Sequence, residues 1–443
     1  MPEGSHAPPR AWYERAINDL PSSARALVAS RTSELVVAST ESLALAAMVR
    51  RLANEAQKPC LVVSGRTLPA ALLQLRGVGV AGDETWAYRV AGRGTILGLK
   101  SSEALAEYSL IFATSGSTGS PKLVPFRNTQ VEFVTAAIAN RLQYKPYDVV
   151  GCAMYPFFDY GFYQADLAGR VGAKVTQFEG FRFPATALEH IRGERVTIVP
   201  VTPAYARRLV TVAEAISATF PTVRMITNTG GRLSQDTRRR LESVFPNAVV
   251  RTMYGLTECK RVSVSTAEDA AIRTSHSGTA LDGTIVSIRD QDGNALPQGA
   301  LGELWVSGPH VTDGYIGGPR TGGILRTGDL AMLDEGNRIV HAGRLGLDQI
   351  KVNDERISVA AIEEAALDTL PSDALVQAIP SFDQDYITSQ ITLYVTATTR
   401  SPKEIVNSIS QHVGSGVARL VHVVPDAPLG LSENGKVRML HDD

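Results

Sequence analysis

Tyr108-Ser109-Leu110-Ile111-Phe112-Ala113 is a short apolar run with the pattern of a buried strand. It empties into Thr114-Ser115-Gly116-Ser117-Thr118-Gly119-Ser120-Pro121-Lys122, a loop built almost wholly from Gly, Ser and Thr. Gly116 and Gly119 tolerate positive φ, so successive backbone N–H groups can turn inward together. Ser115, Ser117, Thr118 and Ser120 add short hydroxyl donors and Lys122 a full positive charge. Such a concave donor set suits a phosphate chain. A flexible surface turn is the plain alternative. A Walker A loop is disfavoured, because Pro121 precedes the lysine and Leu123-Val124 follow it where that motif needs Lys-Ser/Thr opening a helix. Upstream, 41–56 carries apolar residues at helical spacing and 59–65 reads as strand and turn, an α/β rhythm.

With 443 residues the chain is long enough for at least two domains. Its 44 Lys and Arg against 45 Asp and Glu leave a net charge of −1, which gives no reason to expect nucleic acid or an anionic membrane as partner. Cys60, Cys152 and Cys259 are widely spaced and form no CxxC pair, so neither a disulfide framework nor a zinc site is indicated. The first residues lack the apolar core of a signal peptide and no apolar run is long enough to span a bilayer. A cytoplasmic enzyme is expected.

Downstream the same rhythm delivers polar clusters at strand ends. A helix over 129–142 precedes a strand at 149–154 and the aromatic run Tyr155-Pro156-Phe157-Phe158-Asp159-Tyr160-Gly161-Phe162-Tyr163. Val171 to Val175 reads as the next strand turn. Strands at 196–201 and 225–229 follow, the second running into Gly230-Gly231-Arg232, where paired glycines let a flat ring approach the backbone. The strand 249–253 ends in Tyr254-Gly255-Leu256-Thr257-Glu258. Tyr254 offers an aromatic face, Thr257 a hydroxyl for a phosphate, and Glu258 a hard oxygen ligand for Mg²⁺. In Leu325-Arg326-Thr327-Gly328-Asp329-Leu330 the carboxylate of Asp329 suits a cis-diol, one oxygen for each O–H.

Taken in order, TSGSTGSPKLV, YGLTE, GELWVSG with Gly314-Tyr315, TGD, Gly343-Arg344 and Asn434-Gly435-Lys436 resemble the motifs of the adenylate-forming superfamily. That family comprises acyl- and aryl-CoA synthetases, adenylation domains of nonribosomal peptide synthetases, and luciferases. The resemblance spans about 108 to 440 and implies an α/β fold. A large multi-sheet N-terminal domain (1–343) would hold AMP and the acyl pocket. A hinge would join it to a small mobile C-terminal α+β domain (344–443) carrying the catalytic lysine. It implies ATP-dependent activation of a small carboxylic acid, aryl or amino-bearing, with ATP and Mg²⁺. CoA or the phosphopantetheinyl arm of a separate carrier protein would be the thiol acceptor.

Residue by residue, the resemblance assigns Lys436, Glu258 and Thr257 to catalysis, with Glu258 as the metal ligand. Thr114, Ser115, Gly116, Ser117, Thr118, Gly119, Lys122, Gly230, Gly231, Tyr254, Asp329 and Arg344 would bind ATP. Phe158, Asp159, Tyr160, Gly230 and Gly255 would line the acid pocket, with Asp159 pairing a substrate ammonium; the alternative is that Asp159 caps the following helix. Gly302 to Gly308 and Gly314-Tyr315 are read as structural, and Cys259 as packing. The family's hinge commonly ends in Arg-Gly where this chain has Asn353-Asp354, which favours the alternative of adenylation followed by transfer to an amine or another non-thiol nucleophile. A binding module without catalysis is the third reading; Lys122, Glu258, Asp329, Arg344 and Lys436 argue against it.

Overall fold

A computed structural model describes residues 22–29, 35–40, 42–64, 67–77, 84–90, 94–99, 105–114, 122–178, 183–270, 272, 276–344, 349–352, 355–371, 373–382, 388–396, 398–431 and 437–439. The calls on Ser115, Gly116, Ser117, Thr118, Gly119, Lys436 and Asn353-Asp354 lie outside them.

Three helices, α1 (Ser22–Ala29), α2 (Leu43–Glu55) and α3 (Leu68–Gly77), interleave with the first strands. The strands are β1 (Leu35–Thr40), β2 (Cys60–Val63), β3 (Glu84–Val90), β4 (Gly94–Leu99), β5 (Leu110–Thr114) and β6 (Lys122–Phe126). They form one six-stranded sheet in the order β3-β4-β1-β2-β5-β6. β1, β2 and β5 run parallel and the other pairs antiparallel. Strands covered on both faces need no polar alternation. Accordingly Val36 and Ala38 of β1, with Phe112 of β5, enter one core, while Leu35, Val37 and Ile111 enter another.

The second sheet follows α4 (Asn128–Leu142) and alternates strand with helix: β7 (Val149–Cys152), α5 (Asp159–Val171), β8 (Lys174–Gln177), α6 (Pro184–Gly193), β9 (Ile198–Val201), α7 (Pro203–Ala215), β10 (Met225–Asn228), α8 (Gln235–Val244) and β11 (Val249–Tyr254). With β12 (Ser263–Val264) and β13 (Thr279–Ala280) it reaches seven strands in the order β13-β12-β11-β10-β9-β7-β8. From β8 to β11 the pairing is parallel. Residues of α2, α4 and α5 and of both sheets share one core, and Arg50 of α2 reaches Asp166 of α5 at 3.4 Å. In the expected strand turn at Val171–Val175, Val171 closes α5, Gly172 caps it at φ 77°, and the strand begins at Lys174. A left-handed glycine just past a helix is the common C-terminal stop.

After the short α9 (Ala267–Ala270), β14 (Ile285–Arg289), β15 (Gly302–Ser307), β16 (Ile324–Leu333) and β17 (Ile339–Arg344) form a four-stranded antiparallel sheet. The last part of the chain has its own core. It contains the hairpin β18 (Gln349–Val352) and β19 (Glu355–Ser358), then α10 (Val359–Leu367). Next come β20 (Val376–Phe382), β21 (Thr388–Val395), α11 (Pro402–Val413), α12 (Ser415–Ala418) and β22 (Val421–Val424). β20, β21 and β22 form a three-stranded sheet. This layer meets the larger body where Arg207 of α7 donates to the Ala374 carbonyl and where Arg232 faces Glu364 at 3.9 Å. Among the described residues no helix is long and apolar enough to cross a membrane.

Candidate active site

Parallel strands β7, β9, β10 and β11 deliver their carboxyl ends to one edge of the second sheet, the edge where open α/β sheets bind ligands. The aromatic run, Thr202, Thr229-Gly230-Gly231 and Gly255 to Glu258 all leave the sheet there. Gly230 has φ 83°, so the turn after β10 needs glycine. At Gly255 the reason is contact: a Cβ would stand 1.9 Å from the Lys260 carbonyl oxygen.

β5 and β6 are an antiparallel pair, with Thr114 opposite Lys122, so the Gly/Ser/Thr loop is their connection. Lys122 is exposed, and its Nζ lies 4.9 Å from the centroid of the Tyr315 ring. The Tyr315 hydroxyl donates to Glu258 Oε1 at 2.7 Å. Two backbone bonds fix this arrangement: Thr312 N–H to the Glu258 carbonyl at 2.8 Å, and Ile316 N–H to the Leu123 carbonyl at 2.9 Å. Tyr315 therefore connects the lysine after the loop to the YGLTE carboxylate. The expectation that Gly314-Tyr315 is only structural misses this contact. No local signal reveals it, because the partners lie far apart in sequence.

Glu258 Oε2 makes no hydrogen bond among the described residues. No group of three or more His, Cys, Asp or Glu able to hold a metal occurs among them. That donor set fits Mg²⁺, which takes one or two protein carboxylates and fills its shell with water and substrate phosphates.

Asp329 follows Gly328 (φ 71°) on β16, and its backbone pairs with Arg344 of β17. The Tyr254 hydroxyl donates to Asp329 Oδ2 at 2.5 Å, a charge-assisted bond between the end of the second sheet and the third. Burial first, and then the Asp329 charge, hold the Tyr254 phenol well above its ordinary pKa, so it remains a donor. The His341 ring lies 4.3 Å from that of Tyr254.

Around the expected acid pocket, Phe157, Tyr160, Phe162 and Tyr163 are buried in the main core, while Tyr155 and Phe158 are partly buried beside it. Tyr160 hydrogen-bonds Thr227 at 2.8 Å. Asp159 is not the helix cap. Phe158 holds the N-cap position without a side-chain bond, and Asp159 is the first helical residue, where the helix dipole favours its charge. Burial pushes the Cys259 thiol up to about 12, as the packing role requires. Thr257 and Gly231 complete the same edge, both partly exposed or exposed.

Residues 20–316 match the family model described as AMP-binding enzyme. The chain belongs to this family. It is thus a member of the adenylate-forming superfamily, as the motifs implied. The L-proline–[L-prolyl-carrier protein] ligase of Streptomyces coelicolor (strain ATCC BAA-471 / A3(2) / M145) is 28% identical over 69% of this chain and 59% of its own length. VinN is 33% identical over 73% of this chain and 76% of its own, with a TM-score of 0.50. ATP-bound MatB from Rhodopseudomonas palustris shares the fold over 96% of this chain and 90% of its own, at 21% identity and a TM-score of 0.72. The chain spans about three fifths of the length of the curated relatives it matches.

Proposed function

We propose that the protein activates a small carboxylic acid with ATP and passes the acyl group to a thiol. A carboxylate oxygen attacks the α-phosphorus of ATP, the bond to the β-phosphate bridging oxygen breaks, and pyrophosphate leaves with that electron pair. A carboxylic acid is already ionised at pH 7, so the chain supplies no general base. Its task is positioning and charge stabilisation. Residues 114–119 and Lys122 hold the leaving phosphates. Thr257 adds a hydroxyl to the phosphates, and Asp329 with Arg344 holds the ribose. Tyr254, Gly230 and Gly231 flank the adenine. Mg²⁺ on Glu258 supplies counter-charge. Lys436 spans the carboxylate and the α-phosphate, where charge concentrates in the transition state.

The observation that carries this reading is the Lys122–Tyr315–Glu258 relay beside the Tyr254–Asp329 pair. It puts one cation and two carboxylates at the edge where a nucleotide and an acid would meet. Phe158, Asp159, Tyr160, Gly230 and Gly255 border the acid, and Asp159 takes an ammonium if the acid bears one. The prolyl-carrier relative supports a carrier-bound thiol as acceptor; CoA is the other thiol of the family.

The test is exchange of labelled pyrophosphate into ATP across α-amino acids, aminobenzoates, other aryl acids and short fatty acids. Exchange with one acid, reduced about 10²–10³-fold or more in Lys436→Ala, is expected. Loss in Asp159→Ala confined to amine-bearing acids identifies the ammonium contact. Adding CoA, a phosphopantetheinylated carrier or an amine then distinguishes the acceptors. Absence of exchange with every acid, despite ATP binding, defeats the proposal.

A further inference from the structure

Two buried basic side chains next to the candidate site make no ion pair among the described residues. Arg261 is 5% exposed. Its Cζ lies 5.3 Å from the centroid of the Tyr160 ring, and its Nη1 donates to Thr229 Oγ1 at 2.6 Å. Its other guanidinium nitrogens make no hydrogen bond among the described residues, yet they are not sealed from solvent. Other buried arginines are satisfied differently. Arg50 has Asp166, Arg238 has Glu242, and Arg251 donates to the Ser265 and Arg141 carbonyls.

The second is Lys260, 1% exposed, whose Nζ has no hydrogen-bond partner among the described residues. It sits 3.3 Å from the Phe126 ring centroid and 4.3 Å from that of Phe112. Burial pushes its ammonium well below the ordinary lysine range, against the pull of Asp159. Burying a charge is costly unless it is paired. An arriving anion can pair the Arg261 guanidinium, whose further nitrogens reach solvent.

The location says which anion. Thr229 directly precedes Gly230-Gly231, and Tyr160 directly follows Asp159. The Arg261 guanidinium therefore lies between the two segments that border the acid in the reading above, on which this inference rests. We propose that Arg261 binds a second carboxylate of the substrate, so that the enzyme selects acids bearing two carboxyl groups. One carboxylate reacts beside Glu258. The other meets the guanidinium, whose Thr229 bond fixes the plane of the fork and leaves further N–H groups to receive it.

The test compares acids of equal chain length: butanedioate with butanoate, pentanedioate with pentanoate, and their 2-amino counterparts. Pyrophosphate exchange gives kcat/KM. Calorimetry with a non-hydrolysable ATP analogue gives affinity without turnover. The wild-type enzyme should favour one diacid over its monoacid by about 100-fold, because a site built for a polar group discriminates strongly against its absence. Arg261→Ala should bring that ratio to within about threefold, and Arg261→Lys should restore part of it. Equal use of diacids and monoacids by wild type overturns the inference and leaves adenylation standing. So does an equal loss for both acids in Arg261→Ala. Diacid binding that depends on Arg261 without any exchange overturns the adenylation reading and retains the subsite. No binding of any diacid overturns the subsite.

Discussion

Tyr315→Phe is the sharpest probe of the relay. The change deletes one hydroxyl and keeps the ring that faces Lys122 at 4.9 Å. The lost bond, 2.7 Å from O–H to carboxylate, is of the charged class, worth about 1.5–3 kcal/mol. If Glu258 must hold its orientation through the transition state, that energy appears in kcat/KM as a fall of about 10- to 150-fold. The assay is pyrophosphate exchange measured against Mg²⁺ concentration, with thermal unfolding followed in parallel. A misoriented Glu258 should raise the Mg²⁺ requirement. In a double-mutant cycle with Glu258→Gln, the two losses should be strongly non-additive. Tyr315→Leu removes the ring too and should lose about 0.5–1 kcal/mol more. A Tyr315→Phe enzyme within twofold of wild type at every Mg²⁺ concentration refutes the reasoning.

Asp148 sits at the start of the second sheet with its side chain fully buried. It accepts from Arg224 Nε, the Lys145 N–H and the Thr197 hydroxyl at 2.7–2.8 Å. Burial alone would raise its pKa, but these donors together hold it below the ordinary value. A folded pKa below the unfolded one contributes stability above about pH 4, lost as pH falls through the folded value. The acid limb of an unfolding curve should therefore flatten in Asp148→Asn, at a cost of about 2–4 kcal/mol at pH 7 read from denaturant midpoints. Burial pushes Cys60, Cys152 and Cys259 up to about 12. Native protein at pH 7.5 should resist alkylation at all three while unfolded protein reacts, as intact-mass analysis would report.

Elements with a strong local pattern were legible in the sequence. The helix expected over 129–142 runs Asn128–Leu142, and the strand before YGLTE runs Val249–Tyr254. At Val171–Val175 the turn was legible but the helix end was not, since Gly172 is a helix stop and alternation alone hides it. Two features of the site were not legible for a different reason. Tyr315 meets Glu258 and Arg261 meets Thr229 only through tertiary packing, and no spacing in the chain encodes either contact. The glycine of YGLTE shows the converse. Its identity is explained by the Lys260 carbonyl folding back on it, a constraint that is invisible until the turn is built.

The attachment of the last α/β layer has a kinetic meaning. Its contacts with the larger body, among the described residues, include Arg207 on the Ala374 carbonyl and the half-exposed Arg232–Glu364 pair at 3.9 Å. A pair at that distance and exposure is worth less than about 1 kcal/mol and is screened by salt. That pair is thus a weak, salt-sensitive part of the contact. If the proposed function moves this layer between its two half-reactions, added salt should shorten the lifetime of the docked arrangement and change the rate of that step.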